Sequence, residues 1–289
     1  MRLLLIPALM LFAFNLSAQF FGDANKKMTV DRFSSTTTYI VKSESKRYNT
    51  NLKNGFDDFW ELTDVKYVES LEDLDLKDES ISYFTTLTIT INDNLSEQSY
   101  PYLALVVGGK ENLKQRVIAT ITLDNFGYER SAEEAAYRAY SFANIMQDYI
   151  QIKTENIKAV EDEYPGLLYK LYGAIYNKRS NVVKNKTLLV DEKLLSSGKY
   201  FPYKGSKSMS KEDFKKAYKG KVKFVDTDEL ESAINQRDED YCYLRADAMR
   251  SKYVYIVDCN ESKIVYKLKF ASGILIKKKD LKTMSKEIL

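Results

Sequence analysis

The chain has 289 residues, 44% of them apolar, and its 44 basic and 41 acidic residues leave a net charge of +3. That length suits two lobes better than one small core, and the near-balance of charge provides no broad field for recruiting a polyanion such as nucleic acid. With no histidine and only two cysteines, Ser-His-Asp and Cys-His mechanisms, imidazole-ligated zinc and four-thiolate zinc are all excluded.

Met1-Arg2 gives a positive start, Leu3 to Phe14 an apolar run, and Leu16-Ser17-Ala18 a small-residue exit. This is the pattern of a secretory signal peptide over 1–18, resembling those of Gram-negative exported proteins. The apolar run is shorter than the ~20 residues that span a bilayer. No cysteine lies near the cut, so a lipoprotein is not indicated, and no later stretch approaches membrane length. The expectation is a periplasmic or secreted mature chain without a transmembrane segment, with a flexible leader over 19–30.

The first lobe is expected over 31–156. It takes strand Thr36–Val41, a helix Tyr48–Trp60 capped by Asn49 or Thr50, and strand Val65–Val68. A short helix through Leu71 and Leu74 follows, started by Ser70-x-Glu72-Asp73. Next come strand Ile81–Ile91 with one wet face, a turn at Asn92-Asp93-Asn94, and strands Tyr102–Val107 and Val117–Leu123. Gly108-Gly109-Lys110 lacks the spacing of a phosphate loop and reads as a hairpin turn. Ser131 and Glu134 mark a capping box for a long helix from Ala132 to about Asn156. Its stripe Ala135, Ala139, Phe142, Ile145, Met146 and Tyr149 either packs on the first sheet or bridges both lobes.

The second lobe is expected over 157–289. After Pro165-Gly166 comes a helix Leu167–Tyr176, then strand Thr187–Val190 and a Gly/Ser/Lys loop, Ser196–Ser208. Ser210 caps a helix that Gly220 ends, and strand Val222–Val225 leads to a helix from Thr227 to about Asn235. Strands Tyr241–Ala246, Tyr253–Val257 and Ile264–Phe270 form a meander, closed by a helix Lys277–Ile288. Its run Lys277, Lys278, Lys279, Lys282 and Lys286 reads as a solvated face. The two halves match in order, with Phe56 aligned to Phe214, Trp60 to Tyr218, Tyr67-Val68 to Phe224-Val225, and Tyr83 to Tyr241. The fold class is therefore mixed α/β: two related lobes of order β-α-β-α-β-β-β, each closed by a helix. This layout resembles the small α/β lobes of envelope proteins such as the amino-terminal domain of TolB and the lipoprotein activators of peptidoglycan synthases, which implies a protein-contact role.

Three constellations are candidates for chemistry. With Arg250 and Ser251 at a hairpin tip, Cys242 faces Cys259, which allows a disulfide; two buried free thiols are the alternative. Tyr241, Tyr243, Arg245 and Asp247 share one face of their strand and form a ligand or contact strip if that face lines a groove. Asp226, Asp228 and Glu229 cluster at a strand-to-helix junction, where a cation or sugar could sit, although helix capping explains them too. The 22 tyrosines suit half-buried strands and contact surfaces. No cofactor is expected. The functional expectation is a non-catalytic protein contacting an envelope protein or glycan. The alternatives are a glycan-directed hydrolase using two carboxylates roughly 5–9 Å apart and a receptor with a small-ligand or glycan site between the lobes.

Overall fold

The computed structural model describes residues 31–92, 97–123, 131–160, 173–195, 209–248, 252–270 and 276–289. The expected signal peptide and leader, the expected loop Ser196–Ser208, the expected hairpin tip at Arg250 and Ser251, and most of the expected helix from Leu167 lie outside them. The first lobe runs β1 (Thr37–Val41), α1 (Lys46–Phe59), β2 (Val65–Val68), a 3-10 turn (Leu71–Asp73), β3 (Ile81–Asn92), β4 (Glu97–Val107) and β5 (Val117–Thr122). Helical turns at Ala132–Ala135 and Ala136–Arg138 lead into the long α2 (Ala139–Val160). The second lobe runs β6 (Thr187–Asp191), α3 (Lys211–Ala217), β7 (Val222–Val225), α4 (Thr227–Asn235), β8 (Tyr241–Ala248), β9 (Lys252–Asp258), β10 (Ile264–Phe270) and α5 (Lys278–Ile288).

Two mixed five-stranded sheets result, and they have the same order and sense. The first is β2-β1-β3-β4-β5 and the second β7-β6-β8-β9-β10. In each, the first three strands are parallel, as crossover connections require, and the meander adds two antiparallel strands. The registers match at several points. Ile40 faces Tyr67 as Val190 faces Phe224, and the Trp60 and Tyr218 amides close their helices on Phe56 and Phe214. One expected correspondence is corrected: Tyr39 pairs with Tyr83 and Leu189 with Tyr243, so Tyr83 corresponds to Tyr243 and not to Tyr241.

Local chemistry explains the boundaries. Ser131, Ser210 and Asp226 each accept an amide of the first helical turn, whereas α1 is capped by Ser45, through Tyr48 N, and not by Asn49 or Thr50. Asn49 is used outside the cap, bonding the loop at Ser43. The Gly108-Gly109 pair is a turn, with Gly109 at φ 147° and its amide on Leu76 O at 3.0 Å.

The elements stack in layers. Helices α1 and α2 lie on one face of the first sheet, over Ile40, Phe84 and Leu105, and the same core continues through Leu230 and Ile234 of α4 into Leu189, Tyr243, Tyr255 and Val257 of the second sheet. The long helix therefore bridges both lobes, and the expected boundary at residue 156 falls inside its last turns. On the far face of the second sheet, Leu188, Leu244 and Ile256 pack under Phe214 and Ala217 of α3 and Leu281, Met284 and Ile288 of α5. The far face of the first sheet, Ile81, Tyr83, Ala104 and Val106, is covered by Leu71, Leu74 and Leu76 of the segment 69–80. The order is strap, sheet, helices, sheet, helices. In each lobe the helix after the first strand and the helix that closes the lobe share one face of the sheet, α1 with α2 and α3 with α5, and the lobes stack head to tail.

Candidate functional site

Two of the four residues of the β8 strip are interior. Tyr243 and Arg245 are fully buried and face α2, Tyr241 is half-buried, and the Asp247 side chain lies outside the described residues. The Tyr243 hydroxyl donates to Ser141 Oγ at 2.7 Å, since the serine's own proton goes to Arg138 O at 2.8 Å. Burial raises the pKa of that phenol above its ordinary value, so it stays a neutral donor. Arg245 Nη2 donates to Thr122 O at 2.5 Å and Arg138 Nη2 to Leu123 O at 2.9 Å. Both guanidinium groups stack on Phe142, at 5.7 and 5.9 Å from its ring centre. Tyr243 and Arg245 thus form part of the seam that receives the first lobe, while the half-buried Tyr241 ring has Lys223 over it.

The three acids at the β7–α4 junction go to three different partners. Asp226 caps α4 by accepting the Glu229 amide at 2.9 Å, Asp228 accepts from Arg47 of α1 at 3.0 Å, and Glu229 pairs with Lys223. Their neighbour Glu231, which the sequence reading passed over, joins the lobes. It pairs with Arg47 and accepts from Asn51, while Asn235 donates to Asn51 at 3.2 Å. Hydrogen bonding to Arg47 holds the Glu231 carboxyl below the ordinary range. Among the described residues, no group of three or more His, Cys, Asp or Glu side chains is placed to hold a metal ion.

The cysteines are free in this structure, which corrects the expected bridge. The hairpin register differs by one residue from the one assumed, so Cys242 faces Asp258. A slip of one residue changes the face: Cys242 sits in the core under α3 and α5, Cys259 in the core shared with α2. The sheet itself separates the two sulfurs, and burial pushes both thiols up.

Two buried groups went unseen in the sequence. Asp191 ends β6 with 1% exposure, accepting the Lys193 amide at 2.9 Å, and burial raises its carboxyl against the opposing charge of Arg138. Arg138 itself has a readable signal. It falls three residues after Ala135 and four before Phe142, on the apolar stripe of its helix, where a charged residue implies an internal partner.

Outward-facing charge is segregated. Over 211–223 and 277–287 the chain carries eleven lysines and four acids, so the remainder is net negative. On α5, Lys278, Lys279, Lys282 and Lys286 are exposed, as are Lys215 and Lys216 on the adjacent α3. No helix among the described residues is long and apolar enough to cross a membrane. Comparisons with protein-family models, curated proteins and solved structures find no match to this chain.

Proposed function

We propose that this is an exported, non-catalytic envelope protein, built from a duplicated α/β lobe, that works by surface contact with another envelope component. One observation carries the reading: the polar groups that could have made an active site are used to join the lobes. Tyr243, Arg245, Arg138, Asp228 and Glu231 all bond across the seam or beside it. A cleft between lobes, where a small ligand would ordinarily be held, is here occupied by Phe142, Tyr243, Tyr255 and Ile234. What such a molecule offers a partner is its outer surface, and that surface is strongly charged.

The test has two arms. Cell fractionation with intact-mass measurement is expected to find the mature chain, beginning at Gln19, outside the cytoplasm, and cross-linking there to give discrete adducts. Turnover of a glycan, ester or peptide by the purified chain, abolished by substitution of a named carboxylate, would overturn the reading. A cytoplasmic chain that retains residues 1–18 would overturn its location.

A further inference from the structure

We propose that the protein self-associates head to tail, the lysine face of one copy docking on the acidic strap of the next. Three observations converge. The first is the lysine face of α3 and α5, whose apolar residues Phe214, Leu281 and Met284 point inward while the lysines point out. On α5, Lys279, Lys282 and Lys286 follow i, i+3, i+7 spacing and make one stripe. The second is the strap over 69–80, which turns Leu71, Leu74 and Leu76 down onto the first sheet and leaves Glu69, Glu72, Asp73, Asp75, Asp78 and Glu79 exposed. Within the strap six acids stand against Lys77 alone, and from outside it Lys42 pairs with Glu69 and Arg32 with Glu79, which leaves Glu72, Asp73, Asp75 and Asp78 in excess.

These faces cannot neutralise one another within a molecule, because two sheets and a helical layer lie between them. At layer spacings of about 10 Å, they are separated by several Debye lengths at physiological salt, where one such length is about 8 Å.

The third observation identifies the occupant. Inside the molecule, the helical layer of the first lobe already receives the second lobe's corresponding face, with basic Arg47 on α1 against Asp228 and Glu231 on α4. Helix α1 corresponds to α3, and α4 occupies the place of the strap in its own lobe. The two faces left without a partner are thus the next pair in the same series: helices α3 and α5 of one copy, strap of another. A heterologous contact of this kind does not close on two copies, so it builds assemblies larger than a dimer, a ring where its rotation closes and an open chain where it does not. A second copy fits better than a nucleic acid, since the face contains lysine rather than arginine, Phe214 and Tyr218 are buried, and the half-buried Phe224 ring already has Lys211 and Lys215 over it.

The experiment is sedimentation of the full mature chain over a concentration series at low and high salt, with two charge-reversed sets. One is Lys279→Glu, Lys282→Glu and Lys286→Glu. The other is Glu69→Lys, Glu72→Lys and Glu79→Lys, which leaves the turn-forming aspartates in place. The parent is expected to form species heavier than a monomer at low salt and to dissociate at roughly 0.5 M salt, where screening reaches within a few ångströms. Each set alone is expected to weaken association at least tenfold, and an equimolar mixture of the two to restore it. Should a reversed set fail to fold by circular dichroism, the neutral Lys→Gln or Glu→Gln set at the same positions reads the same face. A parent that stays monomeric at low salt overturns the proposal, as does a mixture no heavier than its components. Binding of the monomeric parent to anionic phospholipid vesicles, lost in the lysine set, would assign the face to a membrane surface and equally overturn it.

Discussion

Substituting Gly55 by alanine tests whether the contact of α1 with α2 sets the spacing of the whole stack. An ideal methyl group at this position meets the Tyr140 carbonyl oxygen well inside van der Waals contact, with the carbonyl carbon at 2.8 Å and the Cα at 3.1 Å. All three are backbone atoms of α2, so no side chain can swing aside. Reaching an ordinary separation requires the helices to part by about 1 Å. That loosens the Phe59–Tyr140 ring pair, centred 5.4 Å apart, and the Asn51 bond to Ala136 O at 3.0 Å. Forcing a methyl group into a packed contact costs about 1–3 kcal/mol, and weakening an aromatic pair adds about 0.5–1.5 kcal/mol. Alanine's better helix propensity returns about 1 kcal/mol. The net expectation is a loss of about 2 kcal/mol, which lowers the melting temperature by roughly 4–8 °C for a chain of this size. Trp60, packed beside Phe56 at 5.2 Å, gives the fluorescence signal for a thermal or urea melt. An unchanged or raised melting temperature would mean that helix propensity governs this position, and would refute the close approach.

Three further outcomes follow from the seam and the core. Thiol titration should find no reactive cysteine in the native protein and two after denaturation without reductant, because Cys242 and Cys259 are buried on opposite faces of one sheet; an intact mass lower by two protons would contradict this. Glu231→Gln should cost about 1 kcal/mol at neutral pH, the range of a partly buried, hydrogen-bonded ion pair. Since Arg47 holds this carboxyl below its ordinary value of 4.5, its contribution is present above that pH and lost as the pH falls through the depressed value. The gap from the parent should accordingly narrow as the pH falls below 4.5, and a gap that stays constant all the way to acid unfolding would rule out the ion pair as its cause. Tyr243→Phe removes the bond to Ser141 but leaves the serine its bond to Arg138 O, so a loss of about 1 kcal/mol is expected in a urea melt. No loss would show that the hydroxyl is indifferent to the seam.

Periodicity and capping residues carried most of the fold. Ser131, Ser210 and Asp226 are legible as caps because short polar side chains before a periodic apolar run have little else to do. The cysteine bridge was not legible, because pairing in a hairpin depends on where its tip falls, and a single residue moves every side chain to the opposite face. The burial of Tyr243 and Arg245 in the β8 strip was hidden for a different reason. Tyr-Cys-Tyr-Leu-Arg-Ala-Asp-Ala alternates as a half-exposed strand does, with tyrosine and charge on one face and small apolar groups on the other. Nothing within the strand says that a helix from the other lobe covers the polar face. The Arg47–Glu231 latch was equally hidden, since its members lie far apart in sequence and each reads as an ordinary exposed helix residue.

The two sheets show what covering a face asks of it. At matched positions, the pair Thr85–Ala104 in the first sheet stands where Arg245–Tyr255 stands in the second. The first sheet's outer face needs only to accept the leucines of a strap, so small residues suffice. The corresponding face of the second sheet must reach across to α2, and long side chains fill that distance. They also need polar ends, because β5 stops at Thr122 and the carbonyls of Thr122 and Leu123 leave the ladder inside the core, where an unpaired carbonyl is costly. Arg245 from the second lobe and Arg138 from the first each supply one of these carbonyls with a donor. The residues that looked most like a ligand site in the sequence thus recognise the backbone of their own chain, with the fitted polar groups and excluded water that binding any other molecule would require.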